Sequence, residues 1–179
     1  MKNPLYDRQH KKEYLLYGFI AALVYMIPTS YFLYNTQYAN FYYLFIGNIL
    51  FMFVIAFYVF TLINRKYEGK RSVTMFTAGV WTIAVGVVLS IIFSVIAMFI
   101  FFPDFFGWHR TSKLIQNAPG EYANHYPSGV LLFLLFNIIL CNITAGCFAS
   151  LMVAFAGKKD QTKDKVAPLD EHIPKAHAK

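Results

Sequence analysis

The residues in this chain best suited to chemistry are few. Asp104, His109, Glu121 and His125 fall in one polar stretch, Pro103–Ser128. Two carboxylates and two imidazoles within 22 positions (104 to 125) are types that bind metal or move protons. Their spacing matches no metal-site motif, and the stretch reads instead as an interfacial segment. In that reading Trp108 sits at headgroup level while Arg110 and Lys113 reach lipid phosphates. A second set consists of amides in apolar surroundings: Asn48, Asn137 and Asn142. Buried asparagines line polar paths or tie neighbouring helices together by hydrogen bonds. Cys141 and Cys147 stand six positions apart (147 − 141), on different faces of a helix, and cannot pair with each other.

These residues are set among four apolar runs, Tyr14–Tyr34, Phe41–Asn64, Val73–Phe102 and Gly129–Gly157, none with an Asp, Glu, Lys, Arg or His. About 20 apolar residues suffice for a helix to cross a hydrocarbon core of ~30 Å. The expected fold is therefore all-α: a polytopic membrane protein with four transmembrane helices, the backbone form that satisfies its own hydrogen bonds in lipid. With 58% hydrophobic and 14% charged residues, the composition departs from the soluble balance in the same direction. The first run is too long for the apolar core of a cleavable signal peptide, and it reads as a retained helix. Pro28 lies in its outer half, where a kink is expected.

Charge distribution sets the expected orientation. The net charge is +7, and fourteen of the sixteen Lys and Arg fall on one side of a four-span layout, leaving only Arg110 and Lys113 on the other. Basic residues near spans stay cytoplasmic, so both termini are expected inside and the 103–128 loop outside. Residues 1–13 then form a basic cytoplasmic segment, 14–157 the four-helix membrane domain, and 158–179 a cytoplasmic tail. The tail contains two prolines and no aromatic residue, and its composition suits a disordered chain. The basic clusters suit anionic lipid, and no basic face of a folded soluble module is present to suit nucleic acid.

Small residues give a packing expectation. Ala78, Thr82, Gly86, Ser90 and Ser94 recur every four positions in the third span, and Asn142, Gly146, Ser150 and Ala154 in the fourth. Such stripes let helix backbones approach closely in lipid, and the third and fourth helices are expected to form a tight pair or to offer a stripe to a partner. Asn142-Ile143-Thr144 has the form of a glycosylation triplet but lies inside an apolar run, where it is meaningless.

The stretch from Arg65 to Asp104 runs from a basic turn (Tyr67-Glu68-Gly69-Lys70) through a small-residue-rich helix to Phe102-Pro103-Asp104-Phe105. In this stretch and in its layout the chain resembles a family of small four-helix bacterial inner-membrane proteins of unknown function. The resemblance implies an inner-membrane location and no activity. The chain contains no nucleophile elbow, HExxH, phosphate-binding glycine loop or intramembrane carboxylate pair, so no enzymatic role and no cofactor or metal is expected. The leading functional expectation is a non-catalytic integral subunit or scaffold of an inner-membrane complex. Its partners would be membrane lipids and other integral membrane proteins, or further copies of itself. The alternative is a small oligomeric transporter or channel with Asn48, Asn137 and Asn142 along its path.

Overall fold

The computed structural model describes residues 8–64, 72–102, 115 and 127–157. Among them every regular element is helical. Helix α1 spans Arg8–Asn35, α2 Tyr42–Ile63 and α3 Ser72–Phe101. The fourth span is composite: α4 (Pro127–Asn137), a π-helical turn (Ile138–Asn142) and α5 (Ile143–Ala156). The four helical stretches His10–Asn35, Tyr38–Ile63, Val73–Phe101 and Gly129–Ala156 are each long and apolar enough to cross a membrane. The calls on residues 1–7, the basic turn, Trp108, Arg110, Lys113 and the tail lie outside the described residues.

The helices are apolar on all sides, the pattern of elements solvated by lipid outside and by one another inside. Large apolar side chains point outward along every span, among them Ile27, Phe57, Trp81 and Leu132. Inside, the helices form a ring in which α1 touches α2 and α3, and α5 touches α2 and α3. Ring contacts fix both ends. At the end nearer the termini, Tyr58 of α2 meets Tyr14 and Tyr17 of α1, with centroids 6.2 and 4.7 Å away. At the far end Tyr34 reaches Phe101 and Phe41 packs on Phe133. Ile115, the one described residue between Phe102 and Pro127, is buried in the same apolar cluster as Phe32, Met98 and Val130.

The first connection is short and uncharged. Helix α1 ends by placing Thr36 at φ 45°, where its amide donates to the Phe32 carbonyl at 2.8 Å. This is a left-handed helix cap made by a β-branched residue, a position that glycine would fill without strain. A 3-10 turn, Tyr38–Phe41, then leads into α2. Pro28 is accommodated inside an unbroken α1. The next residue, Thr29, donates its hydroxyl to the Tyr25 carbonyl at 3.0 Å.

Candidate functional site

A polar layer crosses the middle of the bundle. Its centre is Asn137, the last residue of α4. The Asn137 Oδ1 accepts from the Tyr25 hydroxyl of α1 and from Asn48 Nδ2 of α2, each at 3.3 Å. Asn137 Nδ2 donates to Cys141 Sγ at 3.6 Å, one turn on. Three spans are thus joined through one amide. Tyr25 is fully buried, and Asn48 and Asn137 are each 5% exposed. In an apolar interior each such bond contributes roughly 0.6–2 kcal/mol, and each donor left without an acceptor costs more.

The layer sits where the fourth span departs from α geometry. A π turn adds a residue to the helical repeat and widens the local backbone, and such turns concentrate at functional positions. Here it begins right after Asn137 and ends at Asn142. Asn142 is fully buried, and neither its Oδ1 nor its Nδ2 has a hydrogen-bond partner in the structure. The same holds for Ser90 Oγ on α3 and for Asn48 Oδ1.

The small residues position these groups. On α3, Gly86 lies against the α1 backbone at Gly18: a methyl added at Gly86 would stand 3.4 Å from the Gly18 carbonyl and 2.8 Å from the Phe51 ring of α2. Ser94, further along the same stripe, donates to Met26 Sδ of α1 at 3.5 Å. Thr82 turns its hydroxyl to its own helix, onto the Ala78 carbonyl at 3.0 Å. The stripe on α3 therefore faces α1 and α2 at Gly86 and Ser94, where a joint with the fourth span was expected. The joint with α5 uses a neighbouring register. A methyl at Gly79 would collide with Ser150, and one at Gly146 would stand 2.9 Å from Ile83 Cγ1. Ser150 Oγ itself lies 3.5 Å from the Phe76 carbonyl. Ala154 ends the fourth-span stripe, buried among Tyr58, Val59 and Ala78.

Sequence reasoning singled out Asn48, Asn137 and Asn142, and the structure brings the first two together. It missed Tyr25, because a tyrosine in an aromatic-rich span carries no signal of its own. It also missed Gly79 and the π turn. Asp104, His109, Glu121 and His125 lie outside the described residues. Among the described residues no group of three or more His, Cys, Asp or Glu is placed to hold a metal, and both cysteines are free thiols.

No family model matches this chain, and no curated protein or solved structure shows significant similarity to it.

Proposed function

We propose that this protein is a non-catalytic integral subunit or scaffold of an inner-membrane protein complex, with both termini on the cytoplasmic side. The observation that carries the reading is an interior packed with the protein's own side chains, within four apolar runs that hold no Asp, Glu, Lys, Arg or His. Ion-coupled carriers place charged or titratable groups inside the membrane, because an uncompensated charge there costs at least ~2.5–3.5 kcal/mol. This bundle places aromatic rings, glycines and amides there, and the Asn137 amide joins three of its spans. Its outer surface offers contact area instead. An open apolar groove of about 610 Å³ runs between α1, α2 and α5, lined by Tyr17, Ile20, Phe53, Phe57, Phe60 and Val153. Lipid chains or a neighbouring helix would fill it. The basic tail at 158–179 adds a polar contact on the proposed cytoplasmic side.

A second reading, an oligomeric transporter or channel, draws support from the polar layer, since transporter sites gather at the midplane beside interrupted helices. Flux separates the two. Liposomes containing the purified protein alone are expected to show ion and solute permeability equal to that of empty liposomes. Conductance or uptake abolished by Asn142→Leu would promote the transporter reading and remove the scaffold reading. The orientation has its own test: reporter fusions at Lys179 and near Asn117 are expected to give opposite signals, and equal signals would contradict it.

A further inference from the structure

Three tyrosines meet at the end of the bundle far from the termini. Tyr42 and Tyr43 open α2, and Tyr31 lies one turn before the end of α1. The Tyr43 ring packs on the main apolar cluster of the bundle. Tyr42 stacks on it with centroids 4.4 Å apart, and Tyr31 meets it edge-on at 4.6 Å. The Tyr43 hydroxyl is hydrogen-bonded to those of both neighbours. Tyr31 and Tyr42 are nonetheless half exposed, at 50% and 51%.

Position and charge narrow what these rings can meet. Tyr31 is four positions from the end of its span, His10–Asn35 (35 − 31). Tyr42 and Tyr43 are four and five positions from the start of theirs, Tyr38–Ile63 (42 − 38, 43 − 38). Helical rise converts this to about 6–7.5 Å from the span ends, where hydrocarbon gives way to headgroups. No Asp, Glu, Lys, Arg or His occurs from Tyr14 to Asn64, so neither helix brings a charge of its own to the rings. The face of a phenol ring is electron-rich and attracts a cation. Tyrosines that serve only as interface anchors need no contact with one another. These three are in contact and share their hydroxyls. Two bonds among three hydroxyls use two hydrogens, which leaves one O–H to donate and lone pairs on the oxygens to accept.

We propose that Tyr31, Tyr42 and Tyr43 form a site for the headgroup of an ethanolamine phospholipid. Its ammonium lies over the exposed rings of Tyr31 and Tyr42 and donates to their phenol oxygens. The remaining O–H donates to the lipid phosphate. An anionic headgroup without an ammonium gains only the last of these contacts, so the site does not favour it. The site requires that the bundle lie in a bilayer, and it is independent of the subunit role.

The test uses the full chain, purified in mild detergent and incubated with equal amounts of dioleoyl phosphatidylethanolamine and dioleoyl phosphatidylglycerol. Retained lipids are counted by mass spectrometry of the intact particle. Identical acyl chains cancel whatever the apolar groove holds, and comparison with the wild type cancels the attraction of the basic segments for the anionic lipid. The ratio of ethanolamine to glycerol lipid is expected to fall about two- to fivefold in Tyr31→Leu and in Tyr42→Leu, the effect of losing an exposed cation–π contact. Tyr34 is 75% exposed near the same end, but its ring meets Phe101 and not another tyrosine. Tyr34→Leu is therefore expected to keep the wild-type ratio. Tyr31→Phe combined with Tyr42→Phe preserves the ring packing, and with the hydroxyls gone the ratio is expected to fall about twofold. An unchanged ratio in the leucine variants or in the phenylalanine pair overturns the proposal and leaves the rings to a protein partner or to interfacial packing. An equal fall in Tyr34→Leu also overturns it, since any tyrosine at the interface would then serve.

Discussion

Gly79→Leu is expected to break the joint between α3 and the fourth span. A single methyl at Gly79 already collides with Ser150 and would lie 3.1 Å from Val59 Cγ2, so a leucine there pushes on α5 and α2 together. Overpacking of this kind costs roughly 1–3 kcal/mol where a side chain can yield, and more where a backbone must move. Loss of folded protein in the membrane, or a melting temperature lower by several degrees, is the expected readout. A compensating pair sharpens it. Gly79→Ala should destabilise by a smaller amount, and Ser150→Gly added to it should recover much of the loss by vacating the space the new methyl needs. Wild-type stability in Gly79→Leu would mean that α3 and α5 do not meet through these residues.

Asn137→Leu is the second large effect. It removes the acceptor of both Tyr25 and Asn48 and leaves two donors buried in apolar surroundings. About 2 kcal/mol of destabilisation is expected, at the upper end for polar contacts between membrane helices. The Tyr25→Phe variant discriminates between a hydrogen-bond effect and a packing effect. In the wild-type background it should destabilise modestly, because a bond is lost. In the Asn137→Leu background it should be neutral or favourable, because it removes an orphaned hydroxyl. Equal cost in both backgrounds would show that Tyr25 and Asn137 are not coupled.

Some of this architecture is legible in the residues and some is not, for physical reasons. The four apolar helices follow from hydropathy alone, since the signal accumulates along each run whatever its neighbours are. The pairing of the helices does not follow. A helix that is apolar all round gives no preferred face, so Gly86 could be assigned to a small-residue stripe but not to its contacts, Gly18 and Phe51. Gly79 was overshadowed by the longer repeat through Ala78 and Thr82, although it makes the tightest approach to the fourth span. The asparagines were recognisable as a type, because amides are rare and expensive in such runs. That Asn48 meets Asn137 depends on the ring order of the helices, which no local pattern encodes. The π turn has no signature in Ile138-Ile139-Leu140-Cys141-Asn142, because it is imposed by the contacts of the helix with its neighbours. The long loop carries Asp104, His109, Glu121 and His125, and between Phe102 and Pro127 only Ile115 is described, an apolar residue buried in the bundle.

The central claim, that this bundle acts by association with other membrane proteins, meets its most direct test in purification of the full chain from its own membrane in mild detergent, followed by mass determination of the intact particle. The expected result is a particle containing a second integral membrane protein in fixed stoichiometry, with that protein lost when residues 158–179 are deleted or when Phe53 and Phe57 in the outward groove are changed to alanine. A homogeneous particle built of this chain alone, whose liposomes conduct ions or take up solute, would contradict it.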